Sequence, residues 1–348
     1  MRKKLKKIRH QLSRSKYELK KRRISFKRKR ECRLRLRKYR LEVRKQIALK
    51  DQIVKVSPSN FSLIDNTEEV VKYINDCREL LHKKEKIYID LEAVEKLTPD
   101  AIAVLVACAN DKKFRGEYGQ ISGNAPQRPN LSKLLFESGF YQYVQSSPEM
   151  KFAQNRKCNL LHKESDFIVQ PNWAKQACLY GTNHVFGNSS PNSDLYEMII
   201  EAMSNTNNHA SSNKGNVKWW LYAYNNPNGN TCYSFVDLGV GIFESLPVQT
   251  FKKTKIKLGF SHNIDLVKDL LDGKIKSREK MDNKIRGKGI PQIANNSQNN
   301  IFAQAIIISN NVKINLKTKQ SQKITSSFRG TFLYWELTNP KTYESIKN

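Results

Sequence analysis

Residues 194–210 read DLYEMIIEAMSNTNNHA, and we predict that they form one helix. Within it Glu201, Asn205 and His209 recur every four residues, so they line one helical face at intervals of about 6 Å. Apolar residues on the other faces can pack the helix against a sheet: Met198, Ile199, Ala202 and Met203. A carboxylate, an amide and an imidazole in a row suit a metal–phosphate site, because the amide oxygen can ligate Mg²⁺ while the carboxylate orients a water. A solvated polar face is the alternative interpretation of the row.

A strand predicted over Thr231–Asp237 runs into the motif Val236-Asp237-Leu238-Gly239-Val240-Gly241-Ile242. Asp237 therefore stands at the end of the strand, with a permissive backbone after it. A carboxylate in this place can accept a hydrogen bond from an exocyclic amine such as that of adenine, and Gly239 and Gly241 allow a purine to approach closely. Taken alone, the motif also fits a tight loop.

A second glycine motif, Arg286-Gly287-Lys288-Gly289, precedes a helix predicted over Gln292–Asn299. Gly287 and Gly289 expose backbone N–H groups that can cradle phosphates, and Arg286 and Lys288 add positive charge. The motif is not a Rossmann fingerprint, because the third glycine is missing and no strand directly precedes it. It is not a Walker A loop either, because that loop needs Gly-Lys-Ser/Thr after four spacers.

The order of these elements is more specific than any one of them. They are followed by Gly330-Thr331 on a closing strand predicted over Gly330–Leu337. In this order they resemble the GHKL ATPases, the family that joins the ATP-binding domains of gyrase, heat-shock chaperones, histidine kinases and mismatch-repair proteins. The resemblance covers about residues 155–340 and implies a Bergerat-type α/β sandwich with a mixed sheet, which we expect over residues 151–348.

The resemblance also implies roles for individual side chains, with ATP and Mg²⁺ as the cofactors. Asn205 would hold Mg²⁺, and Asp237 would meet the adenine with support from Thr331. Glu201 matches the residue that polarises the attacking water in hydrolytic members of the family. His209 occupies a position from which it would approach a phosphate.

The glycines and the segment between them complete the expected site. Gly239, Gly241, Gly287 and Gly289 would shape the nucleotide and phosphate loops, and the lysine-rich segment 243–286 would be a mobile lid. No histidine upstream is followed by Glu or Asp, the usual setting of a phosphoacceptor histidine. An autophosphorylating histidine kinase is therefore disfavoured.

Residues 51–150 predict a smaller α/β domain of βαβα type with a largely parallel sheet, because strands and helices alternate there. Residues 87–91, Ile-Tyr-Ile-Asp-Leu, followed by residues 97–101, Leu-Thr-Pro-Asp-Ala, resemble STAS domains, the fold of anti-sigma-factor antagonists. In that family a Ser or Thr at the start of the helix can be phosphorylated. Residues 99–101 depart from the family's Ser-Gly pattern, so we interpret Thr98 as a helix N-cap.

Residues 1–50 hold 24 Lys or Arg and three Glu, a net charge of +21 out of +30 for the whole chain. We predict a basic helical arm that precedes the two domains. Nucleic acid is the expected partner, because phosphates bind such a segment with release of counterions. A solvated tail without a specific partner and an anionic membrane surface are the alternatives.

Composition argues against several classes of protein. Six scattered cysteines without a Cys-x-x-Cys pair argue against a disulfide scaffold and a structural zinc site. No apolar run approaches the length of a transmembrane segment, and the N-terminus lacks the apolar stretch of a secretion signal, so we expect a cytoplasmic protein. Trp219 and Trp220 point to opposite faces of one strand, so at most one of them is expected to face the core.

Three functional hypotheses follow. The first is an ATP-binding protein, a Mg²⁺-dependent ATPase or nucleotide switch coupled to a STAS-like module and a polyanion-binding arm. The second is a protein serine/threonine kinase of the anti-sigma-factor type, and the third is a non-enzymatic nucleic-acid-binding protein with a degenerate ATP fold. A regulatory protein partner and a homo-oligomer are compatible with this sequence.

Overall fold

The structure is a computed structural model. It describes residues 51–116, 119–144, 160–164, 168–187, 189–209, 217–246, 262–275 and 289–340, together with scattered positions between 21 and 43. For 160–164 and His209 the description covers the backbone alone. Two compact units are present, Met1–Val54 and Lys55–Asn348. The domain boundary predicted between residues 150 and 151 lies outside the described residues.

In the first unit, residues 24–33 are helical, as predicted for that part of the arm. The side chains of Phe26 and Leu36 are exposed. The rest of the predicted arm, residues 1–20 and most of 34–50, lies outside the described residues.

From residue 53 onward, strands and helices alternate. In chain order the elements are β1 Ile53–Val56, β2 Asn60–Phe61, α1 Thr67–His82, β3 Lys86–Asp90, β4 Lys96–Leu97, α2 Pro99–Asn110, α3 Lys112–Arg115, β5 Gln120–Gly123, α4 Pro129–Glu137 and α5 Phe140–Tyr143. Three strands form a sheet in the order β1-β3-β5, in which β3 and β5 are parallel, and β2 pairs with β4 in parallel. The predicted alternation of strands and helices with parallel pairing is confirmed for this region.

The two long helices of this region differ in how much of their surface is buried. α1 buries an apolar stripe at helical spacing: Val70, Val71, Ile74, Cys77 and Leu81. α2 begins with Pro99 at its first position and is buried on all sides from Asp100 to Cys108. Thr98 is its N-cap residue, as predicted, but the Thr98 hydroxyl makes no capping hydrogen bond.

Five strands form the second sheet: β6 Leu160–Glu164, β7 Trp219–Asn225, β8 Thr231–Asp237, β9 Phe302–Asn315 and β10 Gln320–Leu337. Their order is β6-β7-β8-β10-β9, and all four pairs are antiparallel. The mixed sheet predicted here is therefore not found among the described strands. Short turns join β7 to β8 and β9 to β10, and a short turn returns a strand antiparallel to the one before it. Parallel pairs occur only in the smaller sheets of the described chain.

Helices cover one face of the five-stranded sheet. They are α6 Pro171–Phe186, α7 Ser193–His209, α8 Ile242–Ser245, α9 Val267–Leu271 and α10 Gly289–Asn296, with a 3-10 turn at Asn263–Leu266. The opposite face packs against α1 and α2, so the sheet lies between two helical layers and borders two apolar cores.

Both tryptophans of β7 are buried as a result. Trp219 lies in the core with α6 and α7, whereas Trp220 lies in the core with α1 and α2. Trp219 is 1% exposed and Trp220 is 0% exposed. The prediction that at most one of them faces the core is wrong, because the second face of the sheet is covered as well.

Polar contacts also join α1 to the long hairpin of β9 and β10. The Glu68 carboxylate accepts hydrogen bonds from the backbone N–H of Thr325 at 2.6 Å and from its hydroxyl at 2.9 Å. The Asn75 side-chain amide donates to the carbonyl of Ser327. The ammonium group of Lys313 donates to the hydroxyl of Thr67 at 3.2 Å. The N-terminal helices are therefore an integral layer of the second unit.

Candidate functional site

Helix α7 ends at His209 and carries the polar row predicted from the sequence. Its apolar side packs into the core beneath the sheet through residues such as Met198, Ile199 and Met203. Glu201 is half-buried, and burial raises the pKa of its carboxyl, with a further rise from the charge of Glu197 one turn earlier. The side chain of His209 lies outside the described residues.

The Asn205 side chain lies against the first residue of α10. A Cβ atom built on Gly289 would lie 2.4 Å from Oδ1 of Asn205 and 2.8 Å from Nδ2, so the absence of a side chain at residue 289 leaves room for the amide in this position. The Nδ2 atom of Asn205 is buried and has no hydrogen-bond partner among the described residues. The amide therefore has unused hydrogen-bonding capacity beside the N-terminal end of a helix, where backbone N–H groups are also unpaired.

Acidic residues of α7 hold α10 in this position. The Glu197 carboxylate accepts hydrogen bonds from the side-chain amides of Gln292 at 3.1 Å and Asn296 at 3.0 Å. Asp194 accepts another from Asn299 at 2.7 Å. The middle and the C-terminal end of α10 are thereby tied to α7.

Asp237 lies at the end of β8 and is 3% exposed. Its Oδ1 accepts a hydrogen bond from the backbone N–H of Gly239 at 2.9 Å, and its Oδ2 accepts one from the hydroxyl of Thr206 at 3.3 Å. Burial raises the pKa of Asp237 to about 6, although hydrogen bonds from Gly239, Thr331 and Thr206 oppose the rise. Thr206 follows Asn205 on α7, so the predicted adenine-binding carboxylate and the predicted Mg²⁺-binding amide lie on neighbouring elements.

Thr331 and two glycines surround the end of β8. Thr331 on β10 is the direct cross-strand partner of Asp237. A Cβ atom on Gly330 would lie 2.0 Å from the carbonyl oxygen of Asp237, and Gly330 has a φ of +133°. Gly241 has a φ of +86° and caps the short helix α8. The Asp-x-Gly-x-Gly segment is thus a tight loop that passes over β10.

Five of the predicted site residues lie on α7 or on elements that contact α7 or each other. They are Glu201, Asn205, Asp237, Gly289 and Thr331. Three others lie outside the described residues: Arg286, Gly287 and Lys288.

The predicted lid is described in part. Residues 247–261 and 276–288 lie outside the described ranges. Within 262–275 the side chains of Leu266, Val267 and Leu270 are buried in the core beneath the sheet. This part of the predicted lid is a packed element, because its few apolar residues fall on one side of two short helical turns.

Three side chains of the site were not predicted: Thr206, Ser309 and Asn310. Ser309 and Asn310 contact the loop that follows Asp237. The available signal is the polar run Ser309-Asn310-Asn311 inside an otherwise apolar segment, which on sequence alone resembles a loop. In the structure β9 continues through it, because Asn310 adopts a φ of +51° and the pairing register with β10 shifts there.

The expected Mg²⁺ can be compared with the side-chain donors that the structure brings together. The described residues contain no group of three or more His, Cys, Asp or Glu side chains able to hold a metal ion. Mg²⁺ is commonly bound by one or two protein oxygens together with substrate phosphates and waters. The Asn205 amide, with no partner for its nitrogen, can rotate to present its oxygen as such a ligand.

Comparison of the chain with models of protein families gave no match, and comparison with curated proteins gave none either. Among the described residues, no helix has both the length and the apolar character needed to cross a bilayer.

Proposed function

We propose that the second unit binds ATP in a Bergerat-type site similar to that of the GHKL ATPases. One observation carries the proposal: motifs from distant parts of the sequence meet around α7. Asn205 touches the glycine that begins α10, and Thr206 donates to the carboxylate of Asp237 at the end of β8. An amide, a buried carboxylate and a helix N-terminus are groups that can bind the metal, the base and the phosphates of a magnesium–purine triphosphate.

Asp237 is suited to recognise the adenine ring. Above a pH of about 6 the carboxylate is ionised, so it can accept a hydrogen bond from the exocyclic amine. The hydroxyls of Thr206 and Thr331 and the Gly239 N–H hold its two oxygens in fixed positions. A buried acceptor of this kind favours adenine over guanine, because guanine has a carbonyl at the equivalent position and cannot donate a hydrogen bond to the carboxylate.

Asn205 and the start of α10 are suited to hold the phosphates. When bound, Mg²⁺ would neutralise phosphate charge, with the Asn205 oxygen as its protein ligand. The backbone N–H groups at the start of α10 point away from the body of the helix and favour an anion through hydrogen bonds and the helix dipole. Glu201 lies one turn from Asn205, and its raised pKa makes it a stronger base for orienting a water.

The N-terminal layer is the proposed STAS-like module, and the basic arm is the proposed polyanion-binding segment. α1 and α2 share a core with the sheet that bears Asp237, which supports a switch in which nucleotide binding alters the module. The kinase hypothesis uses the same site and differs only in the acceptor of the phosphoryl group.

A thermal-shift titration with ATP and Mg²⁺ tests the proposal. At a ligand concentration of 100 times the Kd, binding to the native state adds about 2.7 kcal/mol of stability. For a unit of this size the expected rise in Tm is about 5 °C. We expect Asn205→Ala to abolish the Mg²⁺-dependent part of the shift.

Asn208→Ala is the matched control, because Asn208 lies on the same helix and donates only to Ser204 among the described residues. Loss of the shift in both variants, or in neither, would argue against a specific role for Asn205. Incubation with γ-labelled ATP then separates the activities: free phosphate indicates an ATPase, whereas stable label on protein indicates the kinase.

A further inference from the structure

Ser309 on β9 bridges two parts of the chain at the end of the sheet. Its hydroxyl accepts a hydrogen bond from the backbone N–H of Ile242 at 2.8 Å and donates one to the carbonyl of Gly330 at 2.8 Å. Ser309 is 0% exposed, so both bonds are formed away from water. The loop that follows Asp237 is therefore tied to β9 and β10 through one hydroxyl group.

Asn310 holds the same loop at two further points. Its Oδ1 accepts a hydrogen bond from the backbone N–H of Phe243 at 3.0 Å, and its Nδ2 donates to the carbonyl of Val240 at 2.9 Å. These two bonds span Gly241, whose φ is +86° and where a Cβ atom would lie 2.5 Å from Oδ1 of Asn310. The positive φ favours glycine at residue 241, and the Asn310 side chain fills the space that a Cβ atom would take.

The backbone of Asn310 has a conformation suited to this contact. Its φ of +51° lies in the left-handed region, which asparagine adopts more readily than most residues. Ser309 pairs across the strands with Thr331, and Thr331 pairs with Asp237, so the three side chains belong to one row of the sheet. The loop and the carboxylate are therefore positioned by the same row.

We propose that Ser309 and Asn310 are positioning residues that shape the loop 238–243 and so set the affinity and selectivity of the site for adenine. The inference rests on the proposed function and deepens it. The three hydrogen bonds to loop residues preorganise the loop for adenine, so the binding of ATP need not supply the free energy of ordering it.

Asn310→Gly tests the inference, because glycine keeps the positive φ and removes both side-chain hydrogen bonds. Loss of two neutral hydrogen bonds should free the loop and lower the affinity for ATP about tenfold. The affinity for GTP should change little, so the preference for ATP over GTP should fall. Hydrogen exchange at the amides of Ile242 and Phe243 should become faster. A role in stability alone would not change the preference between the two bases.

Two further variants keep the test decisive. Asn311→Ala is the control, because Asn311 accepts from Asn263 and makes no hydrogen bond to the loop. Ser309→Ala removes one loop contact without altering a residue of positive φ, and serves if Asn310→Gly does not fold.

Wild-type protein that binds no ATP overturns the proposed function itself. Wild-type protein that binds ATP, with unchanged affinity and base preference in both loop variants, overturns only the inference.

Discussion

Asp237 makes the stability of the protein depend on pH in a direction opposite to that of most aspartates. Burial raises the pKa of its carboxyl from 3.8 to about 6. At about 1.36 kcal/mol per pKa unit, the difference corresponds to about 3 kcal/mol of lost stability at neutral pH. This loss is the cost of holding an ionised carboxylate in a buried position at the end of β8.

The sign follows from proton binding. The unfolded chain releases this proton near pH 3.8 and the folded chain near pH 6. Between these values the folded state binds more protons, so the free energy of unfolding falls as pH rises. The loss of stability is absent below the pKa of Asp237 in the unfolded chain and complete above its pKa in the folded chain.

Asp237→Asn isolates the effect, because an amide of the same shape does not titrate. Urea unfolding of both proteins at pH 5 and pH 7 gives the difference in their free energies of unfolding. We expect the variant to gain about 1.3 kcal/mol relative to the wild type between these two pH values. The change with pH is independent of how well the amide packs.

Asp272→Asn is the control, since Asp272 is exposed and the hydrogen bond from Lys274 lowers the pKa of its carboxyl. Its titration acts in the opposite direction and at lower pH. A gap between wild type and Asp237→Asn that stays constant, or narrows, from pH 5 to pH 7 would refute the assignment of a buried, raised-pKa carboxylate.

Three other variants test separate contacts. Glu68→Ala should lower the free energy of unfolding in urea by about 2 kcal/mol, because it removes charge-assisted hydrogen bonds to Thr325. The control Glu69→Ala should lower it less, and equal losses would contradict the contact. Gly330→Ala should lower the free energy of unfolding by more than about 2 kcal/mol in the same assay, since the φ of +133° suits glycine alone and a Cβ atom would overlap the carbonyl oxygen of Asp237. A variant as stable as the wild type would show that the loop can move. Glu201→Gln should leave the ATP-induced rise in Tm intact and lower phosphate release at least tenfold; full turnover would exclude Glu201 as the residue that orients water.

The elements that the sequence predicted well depend on local signals. The row Glu201, Asn205 and His209 has strict helical spacing, and α7 covers it. The strand predicted over Thr231–Asp237 is found with the same bounds, and the Asn-rich segment 225–230 forms the turn before it. Gly241 and Gly330 have positive φ values, which other residues rarely adopt, so the glycines themselves mark these two positions in the sequence.

The packing of the N-terminal helices on the sheet was not predicted, because it joins residues far apart in sequence. α2 carries apolar or small residues on every side over Ala101–Cys108, which is typical of a helix that is covered from two directions. The pattern does not reveal which element covers the second side. Trp220 was misjudged for the same reason. The positive φ of Asn310 was hidden too, since a polar run within a strand resembles a loop until the neighbouring strand is known.

Coverage of the sheet from both sides has a consequence for biosynthesis. α1 is made early, yet its contacts with Thr325 and Ser327 require β10, the last strand described. Until that strand leaves the ribosome, α1 lacks the strand that it packs against, and a fragment that begins after the two helices would present Trp220, Ile308 and Phe332 to water. Contacts between residues so far apart in sequence slow folding and leave apolar surface exposed for longer while the chain is being made.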